Sequence, residues 1–72
     1  MQWAVIVGAN IRRLRTARNW TQEQLAGEAD IAMRHLGRIE RGESNPTIDI
    51  LGRLAAKLDV HLKELFEDAR PL

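Results

Sequence analysis

The chain has 72 residues, 44% of them hydrophobic, with no cysteine and a net charge of +1. That length supports one domain with a small core. The lack of cysteine excludes a disulfide staple and a thiolate metal site, and it is compatible with a reducing cytoplasm. His35 and His61 are too few and too far apart for a metal-ligand set. Residues 1–7 are mildly apolar but lack the basic lead and length of a signal peptide, and no apolar run approaches membrane-spanning length. Residues 1–41 hold seven of the 11 basic residues and four of the 10 acidic ones, a balance of +3; residues 42–72 balance to −2. All seven basic residues of the first part are arginine, whose planar fork suits phosphate and guanine edges. The asymmetry fits a nucleic-acid face on one side and an acidic, solvated or self-associating side on the other, although chance scatter gives such an imbalance as readily.

Trp3, Val7, Ile11 and Leu14 recur at helical spacing and predict a first helix over residues 3–18 with these as its core face. Gly8 inside it costs about 1 kcal/mol against alanine; it marks either close packing or a helix start nearer to Gly8. Arg12, Arg13 and Arg18 read best as solvated charges. Thr21 and Gln24 then fit a capping box, with Trp20 and Leu25 spaced as its hydrophobic staple. They open a second helix over 21–29, with Leu25, Ala26 and Ala29 as an apolar stripe. After a turn at Asp30, a third helix over 32–40 carries Leu36 and Ile39 inward with Ile31 before them. Its opposite face, with Arg41 just after, holds Arg34, His35 and Arg38. Helices this short are not stable alone, and an outward cationic face suits an acidic partner.

Gly42 ends the third helix. After a loop, Thr47 caps a fourth helix with Asp49 in its first turn. Its core face is Ile48, Leu51, Leu54, Ala55 and Leu58. The chain breaks at Asp59-Val60-His61, and a last helix near 62–68 offers Leu62, Leu65 and Phe66, with His61 and Glu64 spaced as a capping pair. The expectation is an all-α fold: five short helices in a single domain over 1–72, with a core of about 3–68 and a loose tail at 69–72.

Taken in this order, these features resemble the phage repressor/Cro-type (XRE) family of helix-turn-helix regulators. The matching residues are Gln22, Leu25-Ala26, Ala29, Ile31, Leu36 and the run Arg38-Ile39-Glu40-Arg41-Gly42. Outside the motif, the segment Asn10 to Arg15, Asn45-Pro46 and Leu65-Phe66 also match, so the resemblance covers roughly residues 7–66. It implies a compact lambda-repressor-like DNA-binding domain of five helices, acting as a small cytoplasmic transcriptional regulator of bacterial or phage origin. The third helix, as the recognition helix, would lie in the major groove of double-stranded DNA. A symmetric homodimer would bind a pseudo-palindromic operator, with no cofactor and no metal.

The resemblance also assigns roles. It makes Arg15 and Glu40 an internal ion pair rather than a DNA contact. Met33, Arg34 and Arg38 match positions that reach base edges; arginine donates two hydrogen bonds to guanine, and methionine offers apolar contact such as to a thymine methyl. Gln22, His35, Arg41 and Asn45 fall to the sugar-phosphate backbone. Gly37 matches an outward position and brings no side chain. Asp30 stands where the family usually has glycine, in a left-handed turn that aspartate tolerates. Ala32 stands where the family often has a hydroxyl cap, whose loss weakens the helix start by about 1 kcal/mol. Val60 and Phe66 are the candidate dimer surface, while Leu62 and Leu65 close the core.

A second reading keeps the fold and changes the partner: a protein-interaction module, or an antitoxin component bound to another protein. The acidic second half and the apolar last helix motivate it. An enzyme is the least expected. Ser44 is the only serine, cysteine and tyrosine are absent, and neither histidine has a nucleophile and orienting acid beside it in sequence.

Overall fold

The computed structural model describes residues 2–68. Four α-helices, α1 (Trp3–Ala17), α2 (Gln22–Ala29), α3 (Met33–Glu40) and α4 (Ile48–Lys57), are followed by a 3-10 helix at Leu62–Phe66, and no strand forms among the described residues. The all-α expectation holds, with one change in its last element. The chain closes on a tight 3-10 turn of five residues, opened by Glu64 N–H donating to the His61 carbonyl at 2.9 Å, and Glu67 is already extended. Three-residue hydrogen bonding is sustained only over short pieces. The expected loose tail, 69–72, lies outside the described residues.

The caps form as their side chains dictate. Thr21 Oγ1 accepts from Gln24 N–H (3.1 Å) while Gln24 Oε1 accepts from Thr21 N–H (2.8 Å), completing the box that starts α2. Thr47 Oγ1 accepts from Ile50 N–H at the start of α4. Ala32, with no hydroxyl, makes no side-chain cap for α3. At their other ends all four α-helices close in the same way. The N–H of Trp20, Ile31, Glu43 and Val60 returns to the carbonyl of Arg15, Ala26, Arg38 and Ala55, and the residue before each donates to the carbonyl three residues back, of Thr16, Gly27, Ile39 and Ala56. This paired closure requires a left-handed residue. Gly42 supplies it for α3, but Asn19, Asp30 and Asp59 supply it for α1, α2 and α4 at φ of 58–59°.

One apolar core joins all the elements: Val7 and Ile11 from α1, Leu25, Ala26 and Ala29 from α2, Leu36 and Ile39 from α3, Leu51, Leu54, Ala55 and Leu58 from α4 and its end, and Leu65 from the closing turn. Two residues expected in it lie outside. Trp3 is 50% exposed, because α1 begins there and meets the core only from Val7; its indole packs edge-on against Phe66 with ring centroids 5.8 Å apart. Ile48 is 64% exposed because it is the first position of α4, ahead of the turn where Leu51 and Leu54 enter the core.

Gly8 marks close packing, not a late helix start. A Cβ there would collide with the Ile39 carbonyl oxygen and sit 2.8 Å from that of Glu40, so α1 crosses directly over the end of α3. Asn10, in line with the core positions of α1, donates from Nδ2 to the carbonyls of Leu65 (2.9 Å) and Glu67 (2.7 Å) and fastens the closing turn.

Two stability measurements follow from this packing. Gly8→Ala drives a methyl into backbone that cannot retreat, and a loss of about 1–3 kcal/mol is expected. An unchanged thermal midpoint would mean that α1 and α3 are not in this contact. Asp59→Gly relieves a Cβ in the left-handed region and removes a carboxylate from the negative end of α4. It should stabilise by about 1 kcal/mol, raising the midpoint by roughly 4–8 °C in a domain of this size.

Candidate nucleic-acid interface

The outward side of α3 is held from behind by one ion pair. Arg15, on α1, donates from Nε to Glu40 Oε2 at 2.7 Å and from Nη2 to Glu40 Oε1 at 3.0 Å. Its third nitrogen, Nη1, donates to the Trp20 carbonyl at 2.7 Å. Glu40 Oε1 accepts a further bond from Gln22 Nε2 at 3.0 Å. The last residue of α3, the first of α2 and the end of α1 therefore share one buried network. Arg15 is 9% and Glu40 8% exposed, and every nitrogen of the guanidinium and both carboxylate oxygens have partners. A buried pair is tolerable only when satisfied in this way.

In front of this network, Arg34 and Arg38 are exposed, and Met33 is 52% exposed. None of the three takes part in a side-chain hydrogen bond or ion pair with the described residues. Gln22 and Arg41 converge beside them. A Cβ on Gly37 would lie 3.2 Å from Arg41 Nη1 and 3.7 Å from Gln22 Oε1. Gly37 is buried under these two side chains, which corrects its reading as an open position on the outward face. Arg41 also pairs with Glu43 (3.1 Å), both well exposed; such a pair contributes little and exchanges readily with another anion. Asn45 is exposed in the loop before α4.

His35 does not belong to the exposed face. It is half-buried, one turn before the core residue Ile39, and its Nε2 is shielded without a hydrogen-bond partner among the described residues. Val60 and Phe66 are half-buried, packed on the outside of the core.

Two further polar residues that position this site were not foreseen. Arg53 donates from Nη1 to the carbonyls of Ala29 (3.2 Å) and Asp30 (3.3 Å), placing a cation on the C-terminal end of α2, where the helix dipole favours it. Asn10 is the other, and its place among apolar positions of α1 is the signal that it is buried and bonded. Among the described residues no group of His, Asp and Glu side chains is arranged to hold a metal, and no helix is long and apolar enough to cross a membrane.

Two short helices joined by a left-handed turn at Asp30, the second carrying free cationic side chains outward, define a helix-turn-helix domain. The helix-turn-helix family model matches residues 11–65, and the chain belongs to that family of transcriptional regulators, which is not an enzyme family. It is 37% identical over 65 residues to the HTH-type regulator y4dJ of Sinorhizobium fredii, covering 90% of this chain and 84% of that one. Among solved structures it is similar to the restriction-modification controller protein C.AhdI from Aeromonas hydrophila, with a TM-score of 0.85, 36% identity, and coverage of 88% of this chain and 96% of that one. It is also similar to the biofilm master regulator SinR in complex with DNA, with a TM-score of 0.81, 32% identity, and coverage of 85% and 98%. Some curated relatives are longer: the chain spans 41% and 32% of two of them.

The network behind α3 makes a direct test. Glu40→Gln removes the charge that the Arg15 guanidinium depends on, and a loss of about 3–5 kcal/mol is expected for breaking a buried pair. Urea unfolding measures it; a loss below about 1 kcal/mol, in the range of an exposed pair, would show that the network is not what holds α3.

Proposed function

We propose that the chain binds double-stranded DNA sequence-specifically as a small transcriptional regulator, acting as a repressor. The observation that carries this reading is the outward side of α3: Met33, Arg34 and Arg38 are exposed and make no side-chain hydrogen bond or ion pair within the described residues. The relatives support it, since one of them is solved in complex with DNA. In this reading α3 enters the major groove and α2 spans the backbone. Arg34 and Arg38 read guanine edges, and Met33 makes apolar contact, for instance with a thymine methyl. Gln22, Arg41 and Asn45 meet phosphates and sugars, with half-buried His35 a lesser contact at the flank. Gln22 keeps one amide hydrogen for a phosphate while the other serves Glu40, and Arg41 exchanges Glu43 for phosphate.

A homodimer through Val60 and Phe66 would present two copies of α3 to a pseudo-palindrome, with half-sites about one helical turn apart. Such a regulator acts in the cytoplasm, at the nucleoid. Selection of bound duplexes from a random pool at near-physiological salt should enrich a two-fold-symmetric sequence. No enrichment by folded protein would turn the assignment to a protein-interaction module. On the selected duplex, Arg34→Ala should cost about 1–3 kcal/mol and relax the preference at one position, with binding to random duplex nearly unchanged. An equal loss on both duplexes would remove Arg34 from base reading.

A further inference from the structure

We infer that Arg12, on α1, is a sequence-independent phosphate anchor that extends the DNA footprint beyond the helix-turn-helix; this rests on the DNA-binding reading above. Residues three and four apart share a helix face. Arg12 follows Gly8 by four positions, and Gly8 is the point where α1 touches the carbonyls ending α3. It precedes Arg15 by three, and Arg15 grips Glu40. Arg12 therefore lies on the flank of α1 that runs along the end of α3 toward Gln22, the edge where Gln22 and Arg41 converge.

The charge on that flank is uncompensated. Glu40, gripped by Arg15 one turn further along this flank, has Oε2 occupied by Arg15 and Oε1 by both Arg15 and Gln22. Glu43 is taken by Arg41 and Asp49 by Arg53. Arg12 is exposed, and its side chain has no hydrogen bond or ion pair within the described residues. The other two exposed arginines of this region differ. Arg13 points around the helix to Asn10 Oδ1 (3.3 Å), on the side of the closing turn, and Arg18 lies over the Trp20 ring at 5.5 Å. A free guanidinium on the DNA side of α1 meets the backbone, not the base edges, because α3 occupies the groove. It would carry affinity without sequence preference.

The test is a salt series on the wild type, Arg12→Ala, Arg12→Lys and Arg13→Ala, with a selected duplex and a random-sequence duplex as probes. Losing one phosphate contact should flatten the slope of log Kobs against log salt by about 0.9. Arg12→Ala should weaken both duplexes alike, by about 3–10-fold at near-physiological salt, as loss of a backbone contact does. Arg12→Lys should restore the slope, since a phosphate needs the charge, and Arg13→Ala should leave it at the wild-type value. A wild-type slope in Arg12→Ala, or an equal flattening in Arg13→Ala, overturns the assignment of Arg12. So does a flattened slope that lysine does not restore. Failure of the wild type itself to bind either duplex would overturn DNA binding as a whole, an outcome distinct from these.

Discussion

The bidentate contact between Arg15 and Glu40 is the interaction on which the rest of this small structure depends. Through it, α1 holds the end of α3, and through Gln22 the same carboxylate holds the start of α2. The third guanidinium nitrogen fixes the Trp20 carbonyl, just before the cap that launches α2. Helices of eight residues do not persist alone, and α2 and α3 are each of that length. Their relative angle must be imposed from outside. A buried, fully bonded ion pair suits this because its geometry is directional, whereas apolar contact tolerates sliding. Its net contribution to stability is smaller than the cost of breaking it, since desolvation opposes the attraction. Gly8 completes the arrangement: without a side chain there, α1 comes down onto the carbonyls of Ile39 and Glu40, close enough for Arg15 to reach.

Much of this was legible in the residues. Thr21 and Gln24 announce a capping box, Thr47 a cap, Gly42 a stop, and the apolar spacing of α2, α3 and α4 marks the core. What the spacing missed has a physical pattern. Trp3 and Ile48 fall on the apolar period but at the first position of their helices, where the core has not yet begun. Periodicity gives a residue's direction around a helix, not its depth along it. The last element keeps its apolar residues but is too short and too quickly followed by extended chain to complete an α-helix. Gly37 shows the opposite failure: its direction is outward, but two long side chains from elsewhere, Gln22 and Arg41, close over it. The bonds of Asn10 and Arg53 reach carbonyls 55 and 24 residues away, and no local pattern encodes such partners.

The helix ends raise a related point. The same paired closure ends all four α-helices, yet only α3 uses glycine for the left-handed residue. Asn19, Asp30 and Asp59 accept the strain that glycine would avoid. For Asp59 nothing in the structure explains the choice. For Asp30 the consequence is electrostatic. It puts a carboxylate in the turn between α2 and α3, and Arg53 binds the backbone carbonyls there while its Nε remains near Asp49. The turn thus has an adjacent cation drawn from α4, which ties the second half of the chain to the motif.

The division of labour across α3 follows from these constraints. Its inner side, Leu36, Ile39 and Glu40, is fixed by the core and by Arg15. Its outer side, Met33, Arg34 and Arg38, has no side-chain bond or ion pair to the described residues. Substitution on the outer side therefore leaves no buried group unsatisfied and should be nearly neutral for stability. Substitution on the inner side breaks the core or the network. A domain built in this way can change what it recognises without changing what holds it together. On the proposed DNA-binding reading, the same separation lets affinity-bearing cations lie outside the motif. Affinity through phosphate depends on charge near the backbone, and a helix locked against α3 from behind can supply that charge as rigidly as α3 itself.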